Sequence, residues 1–186
     1  KQPIDFPDLE AFANNNFSIE LDDLGCLIDV IEAGKVFKEY SLDHNHIYLL
    51  GHSRGGGIVV LKAKEDSRIN KVISWAGVAS FERWDYEKVN EWKKNGVIYI
   101  MNGRTKQNMP LNYQLYDNYL ANIERLDISR AISSMNIPHL IVHGSDDEAV
   151  PLDEGEKMKT WNPKAILEII QNANHTFGGK HPWTEK

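Results

Sequence analysis

The 186-residue chain has one cysteine, Cys26, so it can form neither an internal disulfide nor a cysteine-rich zinc site. It has no apolar run that approaches a membrane span. It has no surplus of positive charge. Its 27 Asp and Glu stand against 21 Lys and Arg, a formal net charge of −6. That balance argues against nucleic acid or an anionic membrane surface as the main partner. There is no internal repeat and no low-complexity tract beyond Asn14-Asn15-Asn16. The single thiol fits a reducing compartment, and the expected location is cytoplasmic. No signal peptide is visible, but the chain begins at Lys1 without Met, and a trimmed N-terminus would hide a targeting segment.

What is present is an ordinary globular balance, 41% hydrophobic and 26% charged, with five Trp, seven Tyr and six Phe, which excludes wholesale disorder. The length suits one domain with room for an insertion. Residues 1–17 read as loop, broken by Pro3 and Pro7. Ser18 is the expected cap of an amphipathic helix that runs to about Tyr40, on the spacing of Leu21, Leu24, Ile28 and Ile31. Cys26 is expected to pack within it. Short apolar runs at 47–50, 72–75, 140–142 and 166–170 lack polar alternation and are separated by helical stretches, which reads as the buried strands of a parallel sheet. Helices are expected at 58–64 and 157–161.

The stretch 81–133 differs, being rich in aromatics and amides. Trp84, Val89 and Trp92 suggest a helix ended by Asn95-Gly96. Val97 to Met101 reads as a strand, and the following Asn102-Gly103 is a two-residue hairpin signal. Leu111, Leu115, Tyr119 and Ile123 give a second helical pattern. The segment is expected to be a cap inserted between two sheet strands.

Gly51-His52-Ser53-Arg54-Gly55 is a G-x-S-x-G placed directly after an apolar strand and before the small-residue helix start Gly56-Gly57-Ile58. Strand, tight turn and helix is the setting of a nucleophile elbow. Side chains two residues either way from the serine are expected to collide with the neighbouring strand and helix. The helix N-terminus turns free N–H groups toward a developing anion. A serine hydroxyl needs a base, and the base an orienting acid. The chain offers both in the order Ser, Asp, His: His143-Gly144-Ser145-Asp146-Asp147 follows one strand, and Asn174-His175-Thr176 follows the last. The backbone N–H of Arg54, next after the serine, is the natural oxyanion donor.

These pieces resemble the α/β-hydrolase superfamily, in particular serine esterases and acyl-peptidase-like members. The resemblance runs from about residue 18 to residue 180 and rests on Gly51 to Gly56, on His143-Gly144 with Asp147 and Val150-Pro151, and on His175-Thr176-Phe177. It implies a mostly parallel sheet flanked by helices in three layers. It implies Ser53 as nucleophile, Asp147 as acid with Asp146 as the alternative, and His175 as base with His181 as runner-up. The helix–hairpin–helix insertion resembles the cap of bacterial cinnamoyl esterases. The family takes a second oxyanion donor from a loop after an early strand, often announced by His-Gly, and no such sequence precedes Ser53. It also spends several strands before the serine and a closing helix after the histidine. The resemblance therefore implies a partial domain, shortened at the N-terminus and at the C-terminus.

The activity implied is that of a serine carboxylesterase-like hydrolase working through an acyl-enzyme on a small-molecule ester, with no metal or organic cofactor. A peptidase or thioesterase on the same residues, or a non-catalytic binding protein of the same fold, remains open. Asp43-His44-Asn45-His46 reads as a polar turn rather than a metal pair. His52 is expected to pack or to hydrogen-bond backbone. His139 and His143 are expected to be satisfied structural histidines. Trp75, Trp84, Trp92, Tyr113, Tyr116 and Tyr119 read mainly as core. The Arg54 side chain is left between surface and an acidic substrate group.

Overall fold

The computed structural model describes residues 5–36, 39–40, 42–103 and 105–179. Two short polar side chains start the first helices. Asp8 accepts from Ala11 N–H and caps α1 (Leu9–Asn14), and Asn16 accepts from Ile19 N–H and caps α2 (Phe17–Glu32). The loop expected through residue 17 is thus partly helix, and Ser18 lies inside α2, its Oγ–H donating to Asn118 Oδ1 at 3.0 Å. Each cap satisfies an amide that the helix itself leaves free. The helix also stops earlier than its apolar spacing suggested. Gly34 takes a left-handed φ of 60°. Its N–H donates to Ile31 O and Lys35 N–H donates to Val30 O, the paired bonds of a Schellman end. Cys26 is exposed on this helix, not packed.

The chain then alternates strand and helix. β1 (Ile47–His52) leads to α3 (Arg54–Glu65) and β2 (Ile69–Trp75). An insertion follows, made of α4 (Tyr86–Asn95), β3 (Val97–Met101), β4 (Asn108–Asn112), α5 (Gln114–Ala121) and α6 (Ile128–Ser133). β5 (His139–Gly144), α7 (Leu152–Trp161) and β6 (Ile166–Ile170) complete the described elements. The four expected strands form one parallel sheet in the order β1-β2-β5-β6. All four therefore end at one edge, and the loops after β1, β5 and β6 carry the candidate site residues.

One face of the sheet is covered by α3 and α7, which are joined through α6 and flanked by α2. Ile58 to Leu61 of α3 are all buried there, with Val72, Ile141 and His143 of the strands. Such a continuous apolar run suits a helix pressed between a sheet and other helices. On the opposite face Tyr48, Leu50, Trp75, Ile166 and Ile170 are exposed. The described residues thus show the sheet and one helical layer of the three-layer arrangement.

The insertion folds as helix, hairpin and two helices. Gly96, left-handed at φ 75°, ends α4 as expected. The hairpin turn is wider than Asn102-Gly103 implied. β3 and β4 pair Met101 with Asn108, and the loop spans 102–107. Asn102 N–H donates to Gln107 O at 2.9 Å, and the positive φ falls on Lys106 at 62°. Burial sets this register. It points Met109 inward at 3% exposure, and a slip by one residue would turn it out. The helix suggested by Leu111 to Ile123 begins only at Gln114, because Leu111 is claimed by β4. α5 packs on α2, and β4 packs on α1. Between them lies an aromatic cluster. Phe17 stacks on Phe81 at 4.0 Å between centroids, Trp84 meets both Trp92 and Tyr119 at 5.8 Å, and Trp92 Nε1–H donates to Leu111 O at 2.8 Å. Trp75 stands apart on the exposed face, edge-on to Phe177.

Candidate active site

β1 delivers Ser53 into a turn with φ 57° and ψ −122°, a backbone region strained for any residue with a Cβ. Neighbouring backbone holds it there. Ser53 N–H donates to Trp75 O at 2.9 Å, and Ser53 O accepts from Gly56 N–H at 2.9 Å and Val78 N–H at 3.2 Å. The two glycines of the motif are not equivalent, contrary to expectation. A Cβ on Gly51 would lie 2.0 Å from Gly55 O, whereas one on Gly55 would meet nothing within 4 Å. The second tight position is Gly56, whose Cβ would lie 2.6 Å from Gly77 Cα. Together these close approaches let α3 start directly against the strand ends. Arg54 N–H is in its first turn, without an acceptor inside the helix and at the positive end of its dipole. The Arg54 side chain pairs with Glu20 (Nη2 to Oε1, 2.7 Å) and lies over the Phe17 ring at 5.9 Å. A carboxylate of α2 thus occupies the guanidinium that the sequence left open.

The loops after β5 and β6 are stitched together. Ser145 N–H donates to Ile170 O, Asp146 N–H to Ala173 O, and Asn172 N–H to Ser145 Oγ, at 3.1, 3.0 and 2.8 Å. This brings Asp147 to His175, with Oδ2 2.8 Å from Nδ1. The other carboxylate oxygen accepts from Ala149 N–H at 3.0 Å and Val150 N–H at 2.9 Å. Burial pushes the Asp147 carboxyl up. The Val150 amide, the His175 hydrogen bond and charge, and the Ala149 amide outweigh it and hold the group below the usual carboxylate range. Asp146 is exposed, and its Oδ1 accepts from Ser145 Oγ–H at 2.7 Å. His181 lies outside the described residues.

With Nδ1 of His175 on the carboxylate, Nε2 is the nitrogen left for a reacting group. His175 is also tied to the elbow. His52 Nε2–H donates to His175 O at 2.9 Å, and the two rings lie 4.6 Å apart. This is the backbone hydrogen bond expected of His52. Ser53 Oγ takes part in no hydrogen bond among the described residues. The structure therefore joins Asp147 to His175 directly, and links Ser53 to them through the neighbouring His52.

Sequence reasoning passed over several contributors. Asn174 Oδ1 accepts from Thr176 N–H, Thr176 Oγ1–H and Gly178 N–H, at 3.2, 3.2 and 3.1 Å, and so shapes the histidine loop. Asn-x-Thr is an Asx-turn signal that could have pointed to it. The amides on Asp147 and the Glu20 partner of Arg54 carry no such signal. His139 and His143 are buried as expected, but among the described residues the Nδ1 of each has no partner. At Asp43 the expected polar turn is present, its Oδ1 accepting from Asn45 N–H at 3.0 Å and its Oδ2 facing His46 Nδ1 at 2.6 Å. Among the described residues no three His, Cys, Asp or Glu side chains are placed to hold a metal ion, and no helix is long and apolar enough to cross a membrane.

A parallel sheet with a strained serine elbow on one strand end and an Asp–His pair on two later ones defines an α/β-hydrolase fold. The chain belongs to the BD-FAE family, whose model matches residues 8–161 and so takes in Ser53 and Asp147. Solved structures agree on the fold. Est1E from Butyrivibrio proteoclasticus, determined with ferulic acid bound, is 19% identical with a TM-score of 0.64, over 89% of this chain and 63% of its own. The monoacylglycerol lipase of Paleococcus ferrophilus is 15% identical with a TM-score of 0.63, over 88% and 68%. MGS-MChE2, an α/β hydrolase from a sediment metagenome, is 19% identical with a TM-score of 0.58, over 96% and 70%. The chain thus spans between 63% and 70% of the length of these proteins. No curated protein matches it in sequence.

Proposed function

We propose that the protein is a serine hydrolase that cleaves carboxylic esters. The observation that carries this reading is the 2.8 Å hydrogen bond between Asp147 and His175, formed at the sheet edge that also bears the strained Ser53 turn. In the proposed reaction Ser53 Oγ attacks the acyl carbon while His175 Nε2 takes its proton. Asp147 holds the imidazole in the tautomer that leaves Nε2 free and stabilises the imidazolium. Arg54 N–H stabilises the oxyanion. The tetrahedral intermediate expels the alcohol, which receives the proton from His175. Water then repeats the sequence on the acyl-enzyme, releasing the acid and restoring Ser53.

Residues 81–133 act as the cap in this reading. In support, Phe81 at the root of the segment stacks on Phe17, whose ring also carries the Arg54 guanidinium beside the nucleophile. The segment therefore meets the core next to the site. The fold shared with Est1E makes hydroxycinnamoyl esters the first substrates to try.

The test is labelling with a fluorophosphonate, followed by a panel of esters with short, long and aromatic acyl groups. The expected result is covalent modification at Ser53, ester turnover, and loss of both in Ser53→Ala. Turnover retained in Ser53→Ala would refute the assignment.

A further inference from the structure

His143 sits one turn of loop away from the Asp–His pair and has no part in the reaction as described. It is wholly buried at the end of β5, with its ring against α7. Its Nε2 is 2.8 Å from Val150 O. A carbonyl only accepts, so Nε2 carries the hydrogen of this bond, and Nδ1 is the ring nitrogen that the bond leaves over. Nδ1 is buried and has no hydrogen-bond partner among the described residues. A leucine of similar volume would bring no unpaired ring nitrogen, but it would take the donor from Val150 O. The imidazole is thus a costly choice for packing alone, and the bond it makes is the place to look for its use.

That bond closes the acid loop. Val150 O is held by His143, and the N–H of the same residue donates to Asp147 Oδ1 at 2.9 Å. Ala149 N–H, one residue earlier, is the second donor to that oxygen at 3.0 Å. The Nε2 edge of His143 also lies 3.7 Å from Asp147 Oδ2, the oxygen that faces His175. This is beyond hydrogen-bond reach, but it sets the positive end of the N–H dipole beside the carboxylate. Opposite the ring, Gly155 of α7 leaves the space it needs. A Cβ there would stand 2.9 Å from His143 Nδ1 and 3.3 Å from Cγ.

We propose that His143 is a positioning residue for Asp147. It pins the 144–150 loop so that one carboxylate oxygen is fixed by two amides and the other is presented to His175. The proposal rests on the hydrolase reading above. It differs from a core-packing role because it predicts an effect on the chemical step rather than on folding alone.

The test compares three variants with the wild-type protein on p-nitrophenyl acetate, with thermal unfolding recorded for each. His143→Leu removes the donor and keeps the volume. His143→Gln restores an N–H of similar reach. Gly155→Ala crowds the ring from the helix side. The expected result is a fall in kcat of about 10- to 100-fold for His143→Leu with KM unchanged, because a displaced catalytic group loses rate without losing substrate binding. His143→Gln recovers most of the rate, and Gly155→Ala lowers kcat in the same direction. The downfield proton resonance of His175 Nδ1–H moves in His143→Leu and returns in His143→Gln.

Unchanged kcat and an unmoved resonance in His143→Leu, with only the unfolding midpoint lowered, would overturn the proposal. If His143→Leu does not fold, full activity in Gly155→Ala or none in a folded His143→Gln would do the same. A wild-type protein that neither turns over the ester nor labels at Ser53 would instead remove the hydrolase reading, and this inference with it.

Discussion

The carboxylate of Asp147 and the imidazole of His175 meet at 2.8 Å across 28 positions of chain, with the acid side chain fully buried and the histidine 23% exposed. A buried acid facing a partly open base is the arrangement in which the acid orients and the base meets substrate. Asp147→Asn is therefore expected to lower kcat by about 10⁴-fold, since the amide no longer enforces the tautomer with Nε2 free. Asp146→Asn, at the exposed neighbour, is expected to leave kcat unaffected. Steady-state hydrolysis by the two variants checks the choice between them, and a reversed order would move the acid to Asp146.

Gly51 and Gly55 are expected to respond oppositely to a methyl group. Gly51→Ala puts a Cβ 2.0 Å from backbone that cannot move without opening the elbow. The expected loss is roughly 1–3 kcal/mol or more, with loss of fluorophosphonate labelling. Gly55→Ala finds open space at a helical position and is expected to be neutral or to stabilise by up to about 1 kcal/mol. Urea unfolding midpoints of the two variants measure the difference.

His139 makes stability depend on pH. Burial pushes it down from 6.5 to about 4. Its Nε2 lies 2.9 Å from Ser74 Oγ, which in turn faces Gly56 O at 3.4 Å, so the ring supports the first turn of α3 through one hydroxyl. Between those two values the unfolded chain binds a proton that the folded chain refuses. The contribution of this group is expected to be fully present above about pH 6.5 and to fall as pH drops toward 4, by roughly 3 kcal/mol. His139→Gln should flatten that part of the profile. Urea titrations at about pH 7 and about pH 5 test the slope, and identical slopes in the two proteins would exclude His139 as its source.

Trp92 anchors the insertion. It is fully buried, touches Trp84 and Tyr113, and donates to Leu111 O. Trp92→Ala is expected to cost about 3–5 kcal/mol, and Trp92→Phe less, since the ring volume is largely kept and one hydrogen bond is lost. Calorimetric unfolding of both variants would check the ranking.

Local chemistry was legible in the sequence wherever the determining groups are neighbours in the chain. The four strands, the elbow, and the order of Ser53, Asp147 and His175 follow from apolar runs and from short motifs whose residues act within a few positions. Helix starts at Asn16 and the turn at 102–107 were misplaced, because several polar residues could cap or turn there and the burial of Phe17 and Met109 selected one register. The asymmetry of Gly51 and Gly55 was hidden for a similar reason. Both fit the motif, but whether a Cβ collides depends on backbone brought in by the strand-to-helix angle.

The sequence by itself determined the fold class and offered Ser53, the Asp146-Asp147 pair and His175 as candidates for the proposed chemistry, since periodicity and motif spacing are properties of adjacent residues. Only the tertiary structure brought Asp147 rather than Asp146 onto His175, gave Arg54 its Glu20 partner, and set His143 behind the acid loop. Each of these depends on a hydrogen bond or ion pair between segments distant in the chain or folded back on themselves, where direction as well as residue type is needed. A linear spacing carries the type of a side chain. The packing of β1 against α3, and of β5 and β6 against α7, supplies the direction.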